Sequence, residues 1–173
     1  MKMFLVGLLV GCFVLFPLGV FLFVKLGFLS LATTAKPLPG EAFLAQTALA
    51  ASIGSAQDRS DPLAASDENL LAGAREYREH CAVCHGLPGQ PKTQIAAGMF
   101  PKAPQLFEGH GVTDDSEGET FWKVSNGIRL SGMPGFPNLP EQERWQVTTM
   151  LKHADKLPPR VETELRQPAE PSR

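Results

Sequence analysis

The chain has 173 residues, a formal net charge of −2, 15 prolines, 16 glycines and three cysteines. That length holds one domain plus accessory segments. The charge balance gives no basic surface for nucleic acid, and an odd cysteine count with one close pair argues against a disulfide framework. No alternating run of β-branched residues is long enough to build a sheet, so the pattern predicts an all-α chain.

Met3 to Val24 is a run of 22 residues without a charge, preceded by Lys2 and followed by Lys25. As a helix rising ~1.5 Å per residue it covers about 33 Å, enough to cross a bilayer core. Pro17 falls mid-run, where membrane helices tolerate it. The first reading is a single-pass anchor over 1–35. A signal peptide cut after Ala35 and a lipoprotein signal at Cys12 stay open as alternatives. A signal core is usually shorter than this run, and the apolar run continues past Cys12. Lysines at both ends leave the charge rule for orientation nearly balanced.

Residues 36–66 are bounded by prolines and predict a linker, with residual helix near Glu41 to Ser52. A stronger helix begins at Asp67, with Ser66 or Asp67 as N-cap and acids in its first turn. Leu70, Ala74, Tyr77 and Cys81 recur on one face of it. A second helix is predicted from Asp115 or Ser116 through "ETFWKVSN", stopped by Gly127. A third starts with Pro140 at its first position, buries Trp145, Val147, Met150 and Leu151, and runs to just before Pro158. The helical core is thus 67–158, and the proline- and charge-rich tail 159–173 predicts disorder. A domain this small gains from a large apolar body at its centre.

"YREHCAVCHG" at 77–86 supplies the chemistry. Two residues between cysteines let one helical turn present both sulfurs to one edge of a haem. A histidine directly after the second thiol then falls under the iron. This assigns Cys81 and Cys84 to covalent attachment of one haem c and His85 to the iron. A thioredoxin-like pair would open a helix after a strand, whereas this pair closes a helix. A zinc site would need further ligands, and no second cysteine pair exists.

A sixth ligand is sought among Met99, His110, Met133, Met150 and His153. His80 is too close to the attachment site. Met150 fits the core pattern of the last helix, His153 falls near its end, and His110 sits in the loop "EGHGV". Met133, in "NGIRLSGMPGFPNLP", follows Gly132 and precedes Pro134 and Pro137, so a soft thioether is held on a stiff loop. Met133 is the favoured ligand, with Met99 in "AAGMFPKAP" as its rival and gap-filling as the ordinary role of a loop methionine.

Several ordered features now make the chain resemble class I monohaem cytochromes c, especially the bacterial branch with the haem domains of cbb-type oxidases and dehydrogenase cytochrome subunits. They are Gly73 and Tyr77 before "CAVCH", "KAPQLF", "FWKVSNGIRLSGMPGF" and "RWQVTTMLK", over residues 67–157. The resemblance implies an all-α class I cytochrome c fold, three or more helices and long loops wrapped round one haem, behind one transmembrane helix. It implies that Gly73 and Tyr77 meet the last helix near Val147 and Met150, and that the Pro104 carbonyl orients His85. Leu106, Trp122 and Arg129 are implied pocket residues, with core packing an equal reading for Trp122.

It further implies a haem domain on the periplasmic side of the bacterial cytoplasmic membrane. The expected function is one-electron transfer, not catalysis, with no small-molecule substrate. The expected partners are a dehydrogenase, a quinol-oxidising complex or a terminal oxidase. An obligate subunit of a larger oxidoreductase is the alternative, and a peroxidase-like or gas-binding haem site is a weaker one. The acids Asp114, Asp115, Glu117 and Glu119 are read as helix N-terminal acids before they are read as a docking patch for a basic partner. The stretch 86–103 is longer than in the smallest members of that family.

Overall fold

The computed structural model describes residues 2–108 and 112–167. Its contacts divide the chain into two units, Met1–Lys36 and Pro37–Arg173. The first is built on one long apolar helix, α1 (Lys2–Lys25). At ~1.5 Å per residue it spans about 36 Å. Its middle, Gly11–Leu15, widens into a π turn closed by Phe16 N–H donating to the Gly11 carbonyl. Pro17 follows directly. Its ring has no N–H to donate, and a wider turn ahead of it relieves the clash that proline makes in a regular helix. None of the apolar window of α1 is buried within the protein.

The second unit is helical, and among the described residues it holds no strand, only an isolated bridge between Ile128 and Met133. Its core forms where α3 (Asp67–His80) crosses α7 (Glu141–Lys152). Ser66 caps α3 by accepting from Asn69 N–H at 3.3 Å, and Leu70, Leu71, Ala74 and Tyr77 line its buried face. From α7, Trp145, Val147, Met150 and Leu151 are buried. The crossing is at Gly73, where a β-carbon would lie 2.1 Å from the Gln146 carbonyl oxygen. Only a residue without a side chain lets two backbones approach this closely.

α6 (Glu117–Asn126) packs on α7. Ser116 caps it, accepting from Glu119 N–H at 3.2 Å, and Gly127 stops it at φ 67°. Phe121 stacks on Trp145 with centroids 4.0 Å apart. Two short helices complete the loop region: α4 (Ala82–His85) carries the motif, and α5 (Gln94–Gly98) lies in the long stretch after it.

Three expectations are corrected. The segment before α3 is not a spacer throughout. After α2 (Glu41–Ile53), Ile53 is buried and Gly54–Asp58 forms a 3₁₀ turn against α6. Ser116 Oγ donates to the Gln57 carbonyl at 2.9 Å. A β-carbon on Gly118 would lie 2.1 Å from the Ala56 carbonyl oxygen. Arg59 lies over the Phe121 ring at 4.6 Å and pairs with Glu141 at 3.0 Å. Asp61 accepts from Thr149 Oγ at 2.5 Å, while its own N–H donates to Glu117 at 2.8 Å. Residues 53–61 therefore strap α6 and α7 together. They do so through backbone atoms, the Arg59 guanidinium and the Asp61 carboxylate, which leave no hydrophobic periodicity to read.

The second correction concerns the tail. Pro159–Arg166 is a helix, α8, and Val161 and Leu165 are fully buried in the core against α3. Arg78 and Glu164 form an ion pair at 2.5 Å whose side chains are mostly buried. Two apolar residues at i and i+4 hold the segment down despite its polar composition; residues 168–173 lie outside the described residues. The third concerns α7, which begins after Pro140 and ends at Lys152 instead of running on to Leu157. His153 closes it, its Nδ1 lying 2.9 Å from the Thr149 carbonyl, and a turn joins it to α8.

Candidate functional site

The motif closes α3 and forms α4. Cys84 N–H and His85 N–H both reach the Cys81 carbonyl, at 3.1 and 2.9 Å, so both cysteines belong to a single helical turn. Gly86 ends that turn with φ 78°. Its carbonyl accepts from the Tyr77 hydroxyl at 2.7 Å, and Phe107 meets the Tyr77 ring edge-on at 5.1 Å. Tyr77 thereby ties the motif to the α3–α7 crossing, and burial holds its hydroxyl far above its ordinary pKa.

His85 Nδ1 lies 2.9 Å from the Pro104 carbonyl. A carbonyl only accepts, so Nδ1 carries the proton and Nε2 keeps a bare lone pair, the tautomer a metal requires. Burial lowers the His85 pKa, opposed by the Pro104 bond, and so favours the neutral ring. Cys81 and Cys84 form no disulfide with each other. Burial, with Cys84 and Glu76 adding, pushes the Cys81 thiol up to about 12. A reactive redox pair needs a lowered thiol pKa, whereas Cys81 is shifted the other way. Among the described residues no group of three or more His, Cys, Asp or Glu is placed to hold a metal ion.

Met133 is half-buried at the end of a tight turn. Ile128 N–H donates to its carbonyl at 3.1 Å, and its own N–H donates to Ser131 Oγ at 3.2 Å. Gly127 and Gly135 press the two ends together: a β-carbon on either would fall 2.5 Å from the backbone of the other end. Gly132, at φ 78°, has the Met99 methyl beside it, 3.1 Å from where its β-carbon would be. The two candidate methionines are thus neighbours, Met99 packing on the turn that ends in Met133.

The remaining candidates separate. Leu106 is buried in the core cluster with Ala82 and Tyr77. Trp122 is half-buried and borders an open cleft with Arg59, Phe121 and Arg144, on the α6–α7 side. Arg129 is exposed. Met150 is fully buried, as its core pattern predicts. His153 is partly buried and engaged with Thr149, and His80 pairs with Glu76 at 3.5 Å and lies 5.5 Å from the Phe136 ring. His110 lies outside the described residues. Of the acidic group, Asp115 and Glu119 converge on Lys123 at 3.0 and 2.7 Å and Glu117 accepts from Asp61.

One helical turn presenting two cysteine sulfurs, a histidine whose Nδ1 meets a carbonyl, and a thioether on a braced turn are groups whose chemistry fits a covalently held haem. Residues 68–149 match the family model described as cytochrome c oxidase, cbb3-type, subunit III. This stretch is a cytochrome c domain of that type. A comparison with curated proteins finds no match. A domain of this family implies a covalently held haem c and haem-based electron transfer outside the cytoplasm.

Proposed function

We propose that the protein is a membrane-tethered, periplasm-facing one-electron carrier with a single haem c ligated by His85 and Met133. The observation that carries the reading is the 2.9 Å contact between His85 Nδ1 and the Pro104 carbonyl, directly after a turn that presents Cys81 and Cys84. When bound, the haem supplies the one-electron couple. Cys81 and Cys84 hold it as thioethers. Pro104 holds the His85 ring at one angle and makes Nε2 more basic. The Ile128–Met133 turn fixes the thioether against small displacements, and a methionine sulfur favours the ferrous state and a high potential. With His85 and Met133 both on the iron, a bound haem would offer oxygen or peroxide no open site, so electron transfer is the chemistry it would supply.

Leu106 packs the pocket floor, while Trp122 and Arg129 belong to its periphery. α1 serves as the anchor, its apolar surface covered by lipid. A short tether raises the local concentration of the domain at membrane-bound dehydrogenases, quinol-oxidising complexes or terminal oxidases. A second reading, an obligate subunit of a larger oxidoreductase, is favoured by one finding: the matching family is itself named for an oxidase subunit.

A paired substitution tests the ligand assignment. Met133→Ala is expected to lower the potential and let the ferrous protein bind carbon monoxide, while His85 and the thioethers keep the haem. Met99→Ala is expected to leave spectrum and potential close to those of the parent. The reverse pattern would exchange the two methionines, and avid carbon monoxide binding by the parent would refute the closed site.

A further inference from the structure

α2 is an exposed helix with almost no polar side. Leu49, half-buried, and Ile53, buried, are its covered large side chains, four apart on one face. On the opposite face Leu44, Ala48 and Ala51 stand in solvent around Thr47, with Phe43 beside them. Phe43 is 71% exposed, Leu44 67%, and Leu38, just before the helix, 47%. Glu41 carries the one charge on α2. A helix apolar nearly all round needs something to cover it.

The few polar groups of α2 make little demand on water. Thr47 Oγ donates to the Phe43 carbonyl and Ser52 Oγ to the Ala48 carbonyl, both at 2.7 Å. The Glu41 carboxylate turns back to accept from Leu38 N–H at 2.8 Å. Hydroxyls bonded to their own helix leave a surface that apolar surroundings accept. Gln46 remains, on the Ile53 side of the helix.

The chain leading to α2 is equally poor in charge. Between Lys25, where α1 ends, and Asp58, only Lys36 and Glu41 are charged. Leu26, Phe28 and Leu31 in that stretch are exposed. The apolar bulk of α2 is greatest at the end that α1 feeds. Its far end is fastened to the cytochrome domain through Ile53 and the 3₁₀ turn Gly54–Asp58 against α6. A second copy lying alongside would need bulk along the whole helix, yet past Leu44 the fully exposed positions are small or polar.

We infer that α2 is an interfacial helix. Leu38, Phe43 and Leu44 enter the boundary between lipid headgroups and acyl chains, and α2 holds the cytochrome domain at the bilayer surface. This rests on the reading of α1 as an anchor. Only 15 residues lie between Lys25 and Glu41, so the anchor keeps α2 at high local concentration beside lipid. The domain fastened to Ile53 supplies the polar side that an interfacial helix ordinarily carries itself.

The test uses the full haem-loaded chain in vesicles of phosphatidylethanolamine and phosphatidylglycerol. These carry a diazirine phospholipid whose carbene forms just below the headgroup, and peptide mapping counts its adducts. Residues 38–48 should carry ~5-fold or more adducts than Val83, Ile95 and Leu130, exposed apolar positions elsewhere on the domain. The double variant Phe43→Glu, Leu44→Glu should lose those adducts. It should keep the adducts on α1, the haem spectrum and the Tm, because both side chains are exposed.

Adducts spread equally over all exposed apolar positions, or surviving the double substitution, overturn the inference. Adducts on α1 alone overturn it and leave the anchor standing. Adducts on 38–48 without any on α1 uphold it and refute the anchor, and adducts on neither refute both. A disulfide-linked dimer of Ala48→Cys in a Cys12→Ser background, with 38–48 unlabelled by lipid, overturns it in favour of a second copy.

Discussion

Gly73→Ala tests the crossing on which the whole domain depends. The added β-carbon would sit 2.1 Å from the Gln146 carbonyl oxygen, 2.6 Å from its carbonyl carbon and 2.9 Å from the Met150 β-carbon. Ordinary carbon–oxygen contact is near ~3.4 Å, so α3 and α7 must part by about 1 Å or more. No rotamer change relieves this, because two of the three opposing atoms are backbone. Overpacking typically costs ~1–3 kcal/mol. The upper end is expected here, since parting the helices also loosens Leu70, Ala74, Tyr77 and Met150 together. For a domain of this size ~3 kcal/mol is roughly a 10 °C loss in Tm. Calorimetry of the haem-loaded chain measures it, with Gly98→Ala as control, where a β-carbon meets nothing within 4 Å. A Gly73→Ala variant melting within a degree or two of the parent would refute the close crossing.

Leu165→Ala empties a fully buried position on α8, so urea unfolding should show a loss of ~2–5 kcal/mol; an unchanged midpoint would return the tail to solvent. Arg59→Ala removes the cation over Phe121 and Trp145 and the partner of Glu141. Faster hydrogen exchange in α6 and in residues 53–61 is expected, and exchange unchanged there would remove the strap. Lys123 is raised in pKa: partial burial opposes its charge, but the hydrogen bonds it donates to Glu119 and Asp115 outweigh that. A raised lysine stabilises fully below its ordinary value of 10.5 and loses the effect as pH climbs through the folded value. The stability difference between parent and Lys123→Gln should stay constant from pH 6 to about 9 and shrink above 10.5; a difference flat into strong alkali would refute the coupling.

The sequence by itself carried what local chemistry dictates. Ser66 and Ser116 cap their helices, Gly127 stops one, and Leu70, Ala74 and Tyr77 show the buried face by spacing alone. "CAVCH" declared its turn because both thiols and the imidazole are set by a few consecutive residues. Which helix passes closely at Gly73 was legible only through resemblance. Tertiary structure decided the rest. Residues 53–61 bind through backbone groups, the notch at Gly118 and the Arg59 and Asp61 side chains, none of which has a period. Val161 and Leu165 are too few to declare a helix until α3 supplies a surface for them. Met99 and Met133 are 34 positions apart, and only the fold sets one against the turn of the other. Contacts between distant segments depend on where the backbone has already gone, and no window of neighbouring residues contains that information.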